Sequence, residues 1–222
     1  SRLGNATYVD SNGLIKTSYR NYIRNTDWDA DWLTAGATKS IQEVLNPFGT
    51  TEYVLEISGT AIQGQVLYQN LGNLTSGTIS IYAKANTTDK VNLVAQRNGY
   101  HTNFGASFDL SNGTIQASYG NEDPSAKIED VGNGWYRCSV MNTGLITYFI
   151  VNPHNSNNPS FDNNTKRVVN TGTGGIYIYG PQLVSSLTEA GDFTHNFGTT
   201  QSGAPRYSHD PETLVPTGLY LE

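Results

Sequence analysis

Almost nothing in this 222-residue chain repeats with the 3.6-residue period of a helix. Short runs of β-branched and aromatic residues recur instead, separated by Gly- and Asn-rich turns. Nine such runs read as strands, at 52–58, 65–70, 78–84, 91–97, 104–110, 114–118, 135–141, 145–151 and 176–183. Ser111-Asn112-Gly113 marks a tight hairpin between two of them. Strands this short and this regularly spaced point to an all-β fold, an antiparallel β-sandwich of the jelly-roll kind. The alternation in 78–84 predicts a sheet with one apolar and one polar face.

The chain is long enough for one large sandwich, and two separate cores would each be thin. Hydrophobic residues make up 36%, and 23 glycines bring apolar usage to the ordinary globular range. Charged residues are only 14%, with Asn, Thr, Ser, Gly and Gln in their place. Uncharged polar groups present donors and acceptors to neutral, hydroxyl-rich ligands without a charge to desolvate. A net charge of -6, with the basic residues scattered, argues against nucleic acid. No apolar stretch approaches the ~20 residues that span a bilayer. The opening Ser1-Arg2-Leu3-Gly4-Asn5 is neither a signal nor a transit peptide, so either none exists or the chain is an excised piece. Cys138 is the single cysteine, which rules out an internal disulfide and predicts a small buried hydrophobe within a strand.

Segment 151–175, with Asn152-Pro153-His154-Asn155, reads as a long polar loop. Pro205, Pro211 and Pro216 make 201–222 an extended strap. Boundaries are placed near residues 18 and 200.

Asp27, Asp29 and Asp31 alternate, but a helix-loop-helix calcium site needs Gly where Trp32 stands and Glu where Thr38 stands. That motif is rejected, while a structural calcium held by Asp27 or Asp29 with a distant strand remains an expectation. His101, His154, His195 and His209 show no metal-ligand spacing. No nucleophile elbow or phosphate loop is present, and no local signature nominates a catalytic carboxylate pair. The expectation is therefore a protein that is not an enzyme. Fourteen Tyr, three Trp and seven Phe are more suggestive. Sugars stack their C–H faces on aromatic rings while Asn, Gln, Asp and His bond the hydroxyls. Arg97, Tyr100, His101 and Asn103 fall in one loop, Gln65 and Tyr68 on one strand, and Tyr148 and His154 further on. These eight are the predicted carbohydrate contacts; Trp32 and Trp135 are assigned to the core.

Asn21-Tyr22-Ile23-Arg24-Asn25-Thr26-Asp27-Trp28, then Trp32 and Gly36, resemble the opening of jelly-roll carbohydrate-binding modules. Gly77-Thr78-Ile79-Ser80-Ile81-Tyr82-Ala83-Lys84 is similar to one of their strands. Gly132-Asn133-Gly134-Trp135-Tyr136-Arg137 and 176–183 are similar to segments of such domains in phage structural proteins. In cellulosomal relatives, acids at the opening and in the last strand often hold calcium; here Tyr179-Gly180 stand in the last strand instead. Ala6-Thr7-Tyr8-Val9-Asp10-Ser11-Asn12-Gly13-Leu14-Ile15-Lys16-Thr17 and Ala204-Pro205-Arg206-Tyr207-Ser208-His209-Asp210-Pro211-Glu212-Thr213 resemble two halves of a phage tail and virion motif. The resemblance implies that 19–200 is a binding module inserted between half-motifs 1–18 and 201–222, which pair beside it. It further implies a phage tail or capsid appendage, part of the virion and extracellular when acting, that adheres to host cell-surface polysaccharide. Other virion proteins would be partners, with no nucleic acid or membrane insertion. The alternatives are a structural spacer or decoration domain and a glycan depolymerase.

Overall fold

The computed structural model describes residues 6–9, 13–24, 26, 28, 31–59, 66–72, 74–97, 104–120, 126–162, 167–168, 174–186, 188, 190–191, 193, 207–209 and 216–219. Two six-stranded antiparallel sheets face each other. One sheet has the order β10 (Thr114–Tyr119), β9 (Phe104–Asp109), β8 (Lys90–Gln96), β13 (Tyr148–His154), β6 (Val66–Asn70), β3 (Leu33–Ala35). The other runs β11 (Ala126–Gly132), β12 (Trp135–Asn142), β7 (Gly77–Ala85), β14 (Gly175–Val184), β5 (Thr51–Gly59), β4 (Ala37–Leu45). The chain passes between the sheets repeatedly, as a jelly-roll sandwich requires. All nine expected strands are present within a few residues of their predicted ends. The hairpin at Ser111-Asn112-Gly113 also forms, with Gly113 in the left-handed region at φ 69°.

The core is the space between the sheets. Leu55, Ile57, Ile79, Ile81, Cys138, Val140, Ile176 and Ile178 meet Leu67, Val91, Leu93, Ala106, Phe108, Phe149 and Val151, all fully or almost fully buried. Each of the larger aliphatic and Phe side chains contributes about 1.5–3 kcal/mol of burial. Cys138 is buried as expected, and burial pushes its thiol pKa up, which keeps it an unreactive thiol.

Trp32 closes one end of this core. Its ring stands edge-on to Phe149 at 5.6 Å, and Trp28 packs on it at 4.9 Å. Trp28 is held at φ 68°, a left-handed conformation that bulky residues avoid. Lys39 helps to hold the turn: its Nζ donates to Trp28 O at 3.0 Å and Trp32 O at 2.8 Å. One ammonium thus ties together the main-chain carbonyls of Trp28 and Trp32.

Strand β7 departs from expectation. Its residues from Gly77 to Ala83 are buried on both faces. The outward-facing Tyr82 belongs to a second, smaller apolar cluster with Val54, Trp135 and Tyr179. Phe48 and Phe193 roof this cluster, within 5.5 and 6.4 Å of the Tyr82 ring. Trp135 is therefore buried, but on the outside of its sheet, where Nε1 donates to Leu45 O at 3.0 Å.

Three strands went unread, apart from those at the chain ends: β3, β4 and β11, all on sheet edges; β13, expected to stop at Val151, runs on to His154. Residues 151–154 of the expected loop thus belong to a strand, and Phe161 forms an antiparallel bridge with Val168. At the ends, β1 (Ala6–Val9) pairs with β2 (Ile15–Ser18), and β15 (Tyr207–His209) with β16 (Pro216–Leu219). Among the described residues each of these pairs forms its own two-stranded sheet.

Two outcomes test this architecture. Lys39→Met lowers stability by about 1–2 kcal/mol in denaturant titration, since hydrogen bonds from a charged donor are lost; an unchanged midpoint contradicts the role given to the ammonium. A chain cut to 19–200 keeps one cooperative thermal transition and its near-ultraviolet spectrum, and loss of either shows that the end hairpins belong to the folding unit.

Candidate functional site

The outer face of the β10–β3 sheet carries most of the described polar and aromatic residues nominated from sequence. Strand alternation sends Tyr68 and Asn70 outward from β6, Val94 and Gln96 from β8, and Tyr148, Ile150, Asn152 and His154 from β13. One end of this face is built as a closed polar circuit. Ser156 N–H donates to His154 Nδ1 at 3.3 Å, so Nε2 carries the ring hydrogen and donates to Ser107 Oγ at 2.8 Å. Ser107 donates in turn to Gln116 Oε1 at 2.8 Å, and Gln116 Nε2 returns to Ser156 O at 3.3 Å.

A serine beside a histidine invites a catalytic reading, which the hydrogen directions oppose. A general base must accept the serine proton, whereas here the imidazole donates to it. Both side chains are buried. Burial first, and then the Lys90 ammonium, lowers the His154 pKa to about 4, against the opposing pull of Asp89 and Asp109. Lys90 itself is buried and paired with Asp89 at 2.7 Å and Asp109 at 3.8 Å. His154 is accordingly a buried member of this hydrogen-bonded network.

Next to the circuit, Tyr119 lies across Gly105 to donate to Asn92 Oδ1 at 2.9 Å. A Cβ on Gly105 would collide with the Tyr119 ring, so only glycine fits. Phe161 packs on Tyr119 at 4.4 Å, and Val168 N–H donates to Asn152 Oδ1 at 2.8 Å. The return segment after β13 thereby covers this end of the sheet face.

The other end carries the two tyrosines nominated from sequence. Tyr68 and Tyr148 meet edge-to-face at 6.2 Å, both half-buried, over the buried Val94 and Ile150. Tyr148 lies opposite Asn70 on one side and Gln96 on the other. Arg167 stands within electrostatic reach of Tyr68, its pKa lowered by burial. A pair of ring surfaces bordered by amides and a guanidinium is suited to a sugar ring and its hydroxyls.

Of the eight predicted contacts, the structure brings Tyr68 and Tyr148 together. His154 lies about 20 Å from Tyr148 along β13. Arg97 is turned away, its guanidinium 5.9 Å over the core-facing Phe104 and pressed against Gly144. Gln65, Tyr100, His101 and Asn103 fall outside the described residues, as do Asp27 and Asp29 of the expected calcium site. Among the described residues no three His, Cys, Asp or Glu side chains gather as a metal site. Sequence reading missed Gln96 and Arg167. The alternation of β8 was available to find the former, and nothing local marks the latter.

His154 makes stability pH-dependent. Its pKa is 6.5 unfolded and about 4 folded, so its neutral form stabilises fully above pH 6.5 and progressively less toward pH 4. Wild type loses up to ~1.4 kcal/mol per pH unit from this group across that window, and His154→Gln removes the slope. Parallel pH profiles of the two proteins in urea contradict the assignment.

No family model matches this sequence, and no curated protein does. Among solved structures, one described as a study of the promiscuous specificity of carbohydrate-binding modules from the β-sandwich superfamily is similar to this chain. The likeness has a TM-score of 0.38 and 10% identity, covering 82% of this chain and 75% of the other.

Proposed function

We propose that this protein is a non-catalytic carbohydrate-binding module whose ligand lies across the Tyr68–Tyr148 end of the β6–β13–β8 face. The observation that carries the reading is that ring pair, half-exposed at 6.2 Å and seated on a rigid, fully paired sheet. Stacking against such rings is favourable for a sugar's C–H face, and the exposed Asn70 opposite Tyr148 supplies an amide for its hydroxyls. The setting, a phage tail or capsid appendage gripping host polysaccharide, rests on the resemblance of the two end segments to a virion motif. Weak single sites would then gain strength from many copies on one particle.

A second reading has its own observation. Leu33, Ile41 and Leu45 are each at least half exposed on the edge strands β3 and β4, which are joined at Gly36. An apolar edge of this kind suits contact with a neighbouring protein, as in a spacer domain.

Calorimetric titration against host-type polysaccharide fragments separates the two. Tyr68→Ala and Tyr148→Ala each weaken binding about fivefold or more, a loss of ~1 kcal/mol, at temperatures where circular dichroism shows the variants folded. Binding unaffected by either change places the ligand elsewhere, and no binding to any glycan at millimolar concentration favours the spacer.

A further inference from the structure

A pocket of about 440 Å³ opens where β6 ends, lined by Tyr22, Arg24, Asn70, Leu71, Gly72 and Leu74. It adjoins the tyrosine pair, because Asn70 lies directly opposite Tyr148 across the ladder. Its size falls within the range of small-ligand sites.

The pocket is held in shape by buried groups. Gln69, fully buried, grips the main chain of Arg24 from both sides: Arg24 N–H donates to Oε1 at 2.9 Å, and Nε2 donates to Arg24 O at 2.5 Å. The guanidinium is then aimed by Nη2 donating to Asn70 O at 2.9 Å. Tyr22 is fixed by its N–H to Leu183 O at 2.9 Å, and the Arg20 guanidinium lies 5.0 Å over its ring. Gly72, at φ 68° with open space where a Cβ would be, leaves the mouth clear.

The polar chemistry of the lining is one-sided. Asn70 Oδ1 accepts from Gly72 N–H at 3.0 Å, which leaves the Nδ2 hydrogens as what that amide has to give. Arg24 has donors only. Tyr22, Leu71 and the 41%-exposed Leu74 supply an apolar wall. A ligand matched to this lining has a carboxylate for the guanidinium fork and a C–H face for the wall. In a chain of net charge -6, a guanidinium anchored in this way is a specific device rather than a general attraction for anions.

We infer that this pocket is a subsite for an acidic sugar residue, a uronate or sialate unit whose carboxylate pairs with Arg24 while the adjoining saccharide lies over Tyr148 and Tyr68. The inference rests on the carbohydrate-binding reading and narrows it to acidic glycans.

The test is calorimetric titration of the full chain with acidic oligosaccharides built on galacturonate, glucuronate and sialate, each compared with its own neutral methyl ester. At low salt at least one acid form binds about tenfold or more tightly than its ester, as expected for charge-assisted hydrogen bonds. Arg24→Gln abolishes that preference, and the fold is kept because Gln69 holds the Arg24 backbone and only the exposed bond from Nη2 to Asn70 O is lost. Arg24→Lys keeps the charge but loses the fork, and recovers only part of the preference. Equal binding of every acid and ester, or a preference that survives Arg24→Gln, overturns the subsite. Ester binding that Tyr148→Ala still weakens leaves the carbohydrate reading intact in that case, whereas no binding by any saccharide overturns both.

Discussion

The inner strands of both sheets are covered on both faces, and the rest of the molecule follows from that. Between the sheets, Ile79 and Ile81 of β7 meet the inner residues of β8 and β13. A strand that also turns Tyr82, Val94 or Ile150 outward leaves a second apolar surface that water disfavours. Each sheet needs a cover, and the two covers differ. On the β11–β4 sheet it is aromatic: Phe48 from the β4–β5 turn and Phe193 from beyond β14 close over Tyr82, Tyr179 and Trp135. On the β10–β3 sheet one end is covered by the His154 circuit and by Phe161 and Val168, while at the other, among the described residues, Tyr68 and Tyr148 pack over Val94 and Ile150.

In the proposed reading, the half-exposed tyrosines make the binding face. Two tyrosines that shield Val94 and Ile150 also show part of their rings to solvent, so the side chains that stabilise the sheet are those a sugar would stack on. The backbone beneath them is paired on both sides, through β6 and β8. Little order need be gained on binding, which limits the entropic cost of holding a flexible saccharide. The Arg24 pocket extends the same face around the end of β6, its position set by Gln69 rather than by the loop that carries it.

The central strands were legible in the sequence because burial on both faces demands β-branched and aromatic runs, as in Val91-Asn92-Leu93-Val94-Ala95. The edge strands were not. Ala126-Lys127-Ile128-Glu129-Asp130-Val131-Gly132 is mostly exposed and carries the charges an edge tolerates, so its pattern resembles a loop. The polar look of Thr78, Ser80 and Tyr82 suggested a solvated face, because rings arriving from Phe48 and Phe193 leave no trace in the local pattern. His154 misled for the opposite reason: within a polar string it read as a surface group, while its partner Ser107 lies on β9 and is held in turn by Gln116 on β10. Of the site, the tyrosine pair was found by residue type, and Tyr22 and Arg24 were passed over as part of an opening motif. Their placement depends on a glutamine 45 residues away from Arg24.

The central proposal is that ligand binds at the Tyr68–Tyr148 pair over Val94 and Ile150. A nitrogen–proton correlation spectrum, recorded while an oligosaccharide selected by calorimetry is titrated in, locates the contact residue by residue. The account predicts the largest shifts at Tyr68, Asn70, Gln96 and Tyr148, with the amides around Phe48 and Ile41 unmoved. Shifts centred on β4 and the Phe48 turn, with the tyrosine pair silent, would contradict it.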